Sequence, residues 1–266
     1  MRAFVLAILI ALSSAASAAD VKVMAAGSLK APFSAIFGDY AKQYGGSFSP
    51  VWGPSGVLRE RLQKGEAFDL FASASLQHAQ ALTNAGISGP SVVFARNTLC
   101  VVAAADRALD SGHLVDTMLQ PDIRIGTSTP VSDPAGDYTW EMFREIDAAR
   151  PGAFDTLSKK AQQVFGGPTT SAPVNGHPPL VAALDDHRID LAVTYCSGAE
   201  QLAHDFPAYK SVRLPLELSV GPEYGLTVSR KASAGAADVA MYLLSPPAQA
   251  RLNSFGFIPV ALPASR

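Results

Sequence analysis

The chain is 266 residues long, enough for one large or two medium domains. Its formal net charge is −2, with 21 Lys and Arg against 23 Asp and Glu, so it lacks the basic footprint of a nucleic-acid or anionic-membrane binder. Charged residues make up 17% and hydrophobic ones 48%, which excludes an intrinsically disordered chain.

Arg2, an apolar stretch over 3–12 and a small-residue segment over 13–19 follow the order of a secretory signal peptide. The apolar stretch is shorter than the ~20 residues needed to span a bilayer. Residues 1–19 are therefore expected to be removed, leaving a mature protein in the periplasm or another extracytoplasmic space.

Residues 21–25 read as a buried strand ending at Gly27. Pro32 lies near the start of a helix in which Phe33, Ile36, Phe37 and Tyr40 recur at helical spacing, up to Gly45-Gly46. A second strand covers 47–52, and a short helix carrying Val57, Leu58, Arg61 and Leu62 is closed by Gly65. A third strand over 68–74 and a helix over 76–85 follow. This β-α-β-α-β-α alternation predicts a mostly parallel sheet with helices on both faces.

An extended run over 94–105, with Asn97 inside it, is long enough to carry the chain into a second domain. There the pattern predicts a strand at 123–127 and a helix at 137–149, with Tyr138, Met142 and Ile146 on one face. A Gly/Pro/Ser-rich loop at 166–179, a helix at 180–184 and a strand at 189–195 follow. Strands at 214–220 and 224–228 bring the chain back, and helices at 236–244 and 248–253 close it. The reading is α/β with two lobes, one of residues 20–97 plus 215–266 and the other of 98–214. A cleft between such lobes is the default ligand site. Cys100 and Cys196 both fall in strand-like runs. In an oxidising compartment they form one disulfide if those strands are neighbours, and are two buried thiols otherwise. No CxxC or adjacent His supports a metal site.

Ser28 in Ala25-Ala26-Gly27-Ser28-Leu29 and Ser55 in Gly53-Pro54-Ser55-Gly56 each stand where a strand ends and a helix begins. Two hydroxyls and the free N–H groups of two helix starts can then face one point and hold an anion without a cation. Ser at such a position also serves simply as an N-cap. With no Asp or Glu in the serine motifs, a protonated oxyanion would leave its O–H unpaired at a cost of about 1–3 kcal/mol. Fully deprotonated dianions are favoured on that reasoning.

These motifs, followed by Asp69-Leu70-Phe71-Ala72-Ser73-Ala74, Pro134-Ala135-Gly136-Asp137-Tyr138 and Val193-Thr194-Tyr195, resemble in order the periplasmic molybdate-binding proteins of molybdate and tungstate ABC importers. The resemblance spans the mature chain. It implies a two-lobed periplasmic-binding-protein fold that closes on a tetrahedral dianion, molybdate or tungstate, and delivers it to a membrane permease. It implies ligand hydrogen bonds from Ser28, Ser55, the Ala135 backbone N–H and the Tyr195 hydroxyl, and from a further helix start that falls at His177. Here the chain departs from the family pattern, with Asn175-Gly176-His177-Pro178-Pro179 behind an apparent insertion over 164–173, and with Trp140 after the Pro-Ala-Gly turn.

The expected activity is binding, with no catalysis, no cofactor, no nucleic-acid partner and a monomeric chain. A receptor for sulfate, thiosulfate, or a small phosphonate or carboxylate is the alternative. A serine hydrolase is disfavoured because Ser55 follows Pro54 and lacks the Gly-x-Ser-x-Gly elbow. A sensor that presents its closed form to a membrane kinase would read the same in sequence.

Overall fold

The computed structural model describes residues 20–261 apart from 105, 168–169, 171–176, 216–217 and 219. The expected signal peptide, and residues 168–169 and 171–173 of the expected insertion, lie outside the described residues. In chain order the elements are β1 (Asp20–Ala26), α1 (Lys30–Tyr44), β2 (Ser47–Gly53), α2 (Ser55–Gln63), β3 (Leu70–Ser73), α3 (Leu76–Asn84), β4 (Ser88–Arg96) and β5 (Leu99–Ala103). Next come α4 (Leu114–Leu119), β6 (Ile125–Ser128), α5 (Pro134–Ala149), α6 (Ala153–Lys160), β7 (Ala161–Phe165), α7 (Pro179–Asp185), β8 (Leu191–Tyr195) and α8 (Cys196–Asp205). The chain ends with β9 (Lys210–Arg213), β10 (Glu223–Ser229), α9 (Ala236–Leu243), α10 (Pro246–Ser254) and β11 (Ile258–Pro259).

Two sheets form, ordered β11-β4-β10-β3-β1-β2 and β7-β6-β8-β5-β9. β1 is parallel to β2 and β3, but β10 enters antiparallel between β3 and β4. In the second sheet β6 is parallel to β7 and β8, while β5 is antiparallel to β8 and β9. Both sheets are thus mixed, where alternation alone predicts mostly parallel ones. The strands that break the parallel order flank the two passages between sheets, because a strand entering from the other lobe need not follow a crossover helix.

Each sheet is covered on both faces. In the first, Val21, Val23 and Ala25 pack with Phe33, Ile36, Val239 and Leu252 on one side, while Met24 and Phe71 pack with Leu58, Leu62 and Leu82 on the other. In the second, Val101, Leu191 and Val193 face Met142, Phe143 and Leu157, and Cys100, Val102 and Ala192 face Leu180, Leu184 and Ala199. The strict alternation along β1 and β5 is the period-two consequence of strand geometry. Cys100 and Cys196 are joined by a disulfide. Cys100 pairs across β5 and β8 with Thr194, which places Cys196 one residue beyond the ladder and within reach.

The expected run over 94–105 is two strands in different sheets, broken at Asn97 and Thr98. The Asn97 side chain is buried, donating to Ser197 Oγ (2.7 Å) and accepting from Thr98 N–H (2.9 Å), while its N–H donates to the Pro222 carbonyl (3.1 Å). Both passages between the sheets are tied to one another at this residue. Of the expected strand at 214–220, residues 216–217 and 219 lie outside the described residues, and the described residues 214, 215, 218 and 220 are not in a strand. Leu214, Leu218 and Val220 are buried in the core as part of the returning segment, and their apolarity reports burial rather than pairing.

Candidate functional site

A cavity of about 410 Å³ lies between the two sheets. From the first sheet it is lined by Ala26, Gly27, Ser28 and Lys30 after β1 and by Trp52, Gly53 and Pro54 after β2. From the second come Asp133 and Ala135 at the start of α5, Phe165, Gly166, Gly167 and Thr170 after β7, and Thr194, Tyr195 and Gly198 across the β8–α8 junction. The starts of α1, α2, α5 and α8 therefore converge on one space, and each helix start contributes partial positive charge.

Tyr195 is 4% exposed, and its hydroxyl has no hydrogen-bond partner among the described residues. A buried hydroxyl without a partner costs about 1–3 kcal/mol, so this one is a polar group that the described residues leave unsatisfied. Burial raises the Tyr195 phenol far above its ordinary range, with smaller contributions from Tyr224 and Asp133, which keeps it a neutral donor. The Tyr195 ring packs edge-on to Tyr224 (5.6 Å between centroids), and the Tyr224 hydroxyl is 3.0 Å from Ser28 Oγ. Tyr224, from β10, thereby connects the two serine and tyrosine positions across the lobes.

Ser55 is fully buried behind the cavity wall, and its Oγ accepts the Ala74 N–H at 3.0 Å. The lining on that side is Gly53 and Pro54. Beside it the lobes touch, with the Gly56 N–H donating to the Ser132 carbonyl at 2.9 Å. A Cβ on Gly56 would stand 2.8 Å from that oxygen and closer still to the Val131 carbonyl, so only glycine permits this approach.

The Ala135 N–H lines the cavity but is already bonded to the Asp133 Oδ1 (3.3 Å), because Asp133 caps α5 ahead of Pro134. The other carboxylate oxygen of Asp133 accepts from Ser128 Oγ (2.7 Å). Desolvation raises the Asp133 carboxyl to about 6, against the lowering effects of the Ser128 and Ala135 bonds. Gly166, at φ +73°, passes so close that a Cβ there would lie 2.8 Å from Asp133 Cβ.

His177 is not at the cavity. Its Nδ1 pairs with Asp185 Oδ2 (2.8 Å) at the end of α7, and its ring stands edge-on to Phe206 (5.1 Å). The further helix start at the cavity belongs to α8, directly after Tyr195. Trp140 packs on Phe143 (5.4 Å) in the core, and the tryptophan at the cavity is Trp52. Arg59, half-buried on α2, meets His78 Nδ1 at 3.0 Å and does not line the cavity. The expectation of a site without charge is also corrected, since Lys30 and Asp133 both line it. Among the described residues no group of three or more His, Cys, Asp or Glu could hold a metal ion. No helix among them is long and apolar enough to cross a membrane.

A family described as "Bacterial extracellular solute-binding protein" matches residues 21–258. An uncharacterized protein of Pasteurella multocida is 31% identical over 185 residues, 68% of this chain and 76% of that one. The periplasmic molybdate-binding protein of Azotobacter vinelandii superposes with a TM-score of 0.72 at 19% identity, over 92% of this chain and 100% of that one. A sulfate-binding protein of Mycobacterium tuberculosis does so with a TM-score of 0.73 at 16% identity, over 91% and 87%. The two solved structures establish a common fold.

Proposed function

Because the chain belongs to the bacterial extracellular solute-binding protein family, we propose that its cavity captures a small tetrahedral oxyanion, which the closed protein hands to the permease of an ABC transporter. The observation that carries this reading is the unpartnered Tyr195 hydroxyl, buried in a wall on which four helix starts converge. Hydrogen bonds to a charged ligand are worth about 1.5–3 kcal/mol each. A handful of them exceeds the ~8 kcal/mol of a micromolar complex once association costs are met.

Molybdate or tungstate is the ligand that the sequence resemblance supports, and the Azotobacter vinelandii neighbour supports molybdate. The Mycobacterium tuberculosis neighbour supports sulfate within the same class. The protein acts as a binder with no chemistry of its own, in the extracytoplasmic space, as a monomer, and without a cofactor. Ser28 from one lobe and Tyr195 and Gly198 from the other would touch one ligand. A ligand contacting both lobes favours the closed state by its differential affinity for it.

The test is thermal unfolding with molybdate, tungstate, sulfate or phosphate at about one hundred times the dissociation constant. Such an excess stabilises by about 2.7 kcal/mol, a rise of roughly 5–10 °C for a chain of this size. No shift with any of the four would refute the oxyanion reading.

A further inference from the structure

We propose that Asp133 selects an oxyanion that brings its own O–H, of which hydrogen phosphate is the simplest, over fully deprotonated molybdate, tungstate or sulfate. The inference rests on the reading of the cavity as an oxyanion site.

The geometry argues as follows. An ionised carboxylate offers about four acceptor positions and no donor. Asp133 uses one on Ser128 Oγ and one on the Ala135 N–H, and it lines the cavity with capacity left over. The second of these bonds occupies the Ala135 N–H, a donor that the start of α5 would otherwise turn toward a ligand, and the first occupies the Ser128 hydroxyl of β6. On this side of the cavity the protein therefore accepts rather than donates. An oxyanion with no proton would set its own negative oxygen against a carboxylate in a space poor in water, where like charges repel more than in bulk. One carrying a hydroxyl would donate to Asp133 in a short, charge-assisted bond. The donors lie elsewhere: the unpartnered Tyr195 hydroxyl, the Ser28 hydroxyl, backed by Tyr224, and the Lys30 ammonium from α1, a point charge suited to phosphate.

The groups facing Asp133 allow its charge state to be read. Ser128 comes from β6, Tyr195 from β8, Tyr224 from β10, and Asp137 from α5 itself, with Lys30 across the cavity. Both tyrosines are raised above the ordinary phenol range by burial and stay neutral near pH 7. Asp133, raised to about 6, is ionised at pH 7.5 and takes up a proton below 6. Once protonated it can donate, and a bare dianion becomes acceptable.

The experiment is isothermal titration of the mature protein and of Asp133→Asn with inorganic phosphate, sulfate and molybdate at pH 7.5, and with sulfate again at pH 5.5. Asn caps a helix as well as Asp does, and its amide replaces an acceptor with a donor. The expected result is wild-type phosphate binding at least tenfold tighter than sulfate or molybdate at pH 7.5. Asp133→Asn should weaken phosphate at least tenfold and tighten sulfate at least tenfold. Wild-type sulfate affinity should rise at least threefold at pH 5.5, a readout that does not depend on the variant folding. Sulfate or molybdate binding as tightly as phosphate at pH 7.5 would overturn the inference while leaving the oxyanion reading intact, as would a preference that Asp133→Asn moves by less than threefold. Silence with all three anions in both proteins would overturn the oxyanion reading itself.

Discussion

Replacing Gly56 with Ala should hold the lobes apart. Gly56 is the second residue of α2, its N–H reaches the Ser132 carbonyl across the cleft, and an added Cβ would sit 2.8 Å from that oxygen. Ordinary contact needs about 3.5 Å, so the loop carrying Val131 and Ser132 must retreat by more than half an ångström. The strained contact costs about 1–3 kcal/mol, and the loosened hydrogen bond costs about 0.5–1.5 kcal/mol more. The closed form should therefore lose about 1.5–4.5 kcal/mol. At ~1.4 kcal/mol per factor of ten, affinity for inorganic phosphate falls roughly tenfold to a thousandfold. The free protein should be no less stable, because Ala is the better helix former by up to about 1 kcal/mol. Titration calorimetry reads the affinity, unliganded melting reads the stability, and small-angle scattering with saturating phosphate reads the closure. Gly38→Ala, in α1 with nothing within 4 Å of the added carbon, is the control and should leave binding unchanged. Gly56→Ala binding within twofold of wild type would refute the reasoning that this contact belongs to the binding-competent form.

Tyr195→Phe should weaken phosphate at least tenfold by calorimetry while leaving the free melting temperature equal or higher, because it removes an unpaired buried hydroxyl. A lower melting temperature with unchanged affinity would make Tyr195 a packing residue. Replacing both Cys100 and Cys196 with Ala opens a link spanning 96 residues, which should cost up to about 4.7 kcal/mol, read as a lower urea midpoint. An unchanged midpoint would contradict the constraint assigned to that bond. Asp133 also makes a statement about pH. Its carboxyl titrates at about 6 in the folded chain and near ~4 when unfolded, so between those values the folded state holds more protons. Its stabilising contribution is present below pH 4 and is lost as pH rises through 6. Denaturant midpoints of wild type relative to Asp133→Asn should accordingly fall between pH 5 and 7, and a flat difference would contradict the raised value.

How much of this was legible in the sequence depends on how local the cause is. Gly27-Ser28 and Pro134-Ala135 mark helix starts through chain chemistry alone, and both stand at the cavity. The break at Asn97 was visible as an unusually long extended run, because a chain changing sheets must stay extended. Asp133 was missed, although an Asp directly before Pro134 carries the ordinary signal of a helix cap; its role toward a ligand depends on which way the capped helix points. Tyr224 was out of reach, since it arrives through a strand inserted antiparallel between β3 and β4. His177 was placed by the resemblance alone, and a position carried over in that way says nothing of which way the side chain turns. The side chain instead pairs with Asp185, eight residues on. Ser55 was found at the right junction but on the wrong side of the wall, where its Oγ accepts the Ala74 N–H.

The central claim is that the space between Ser28, Asp133 and Tyr195 is where the ligand sits. A crystal structure grown with inorganic phosphate tests it most directly. The account expects one phosphate oxygen within about 2.6–3.2 Å of the Tyr195 hydroxyl and another facing the Asp133 carboxylate. Phosphate bound outside this cavity, with the Tyr195 hydroxyl still lacking a partner, would contradict it.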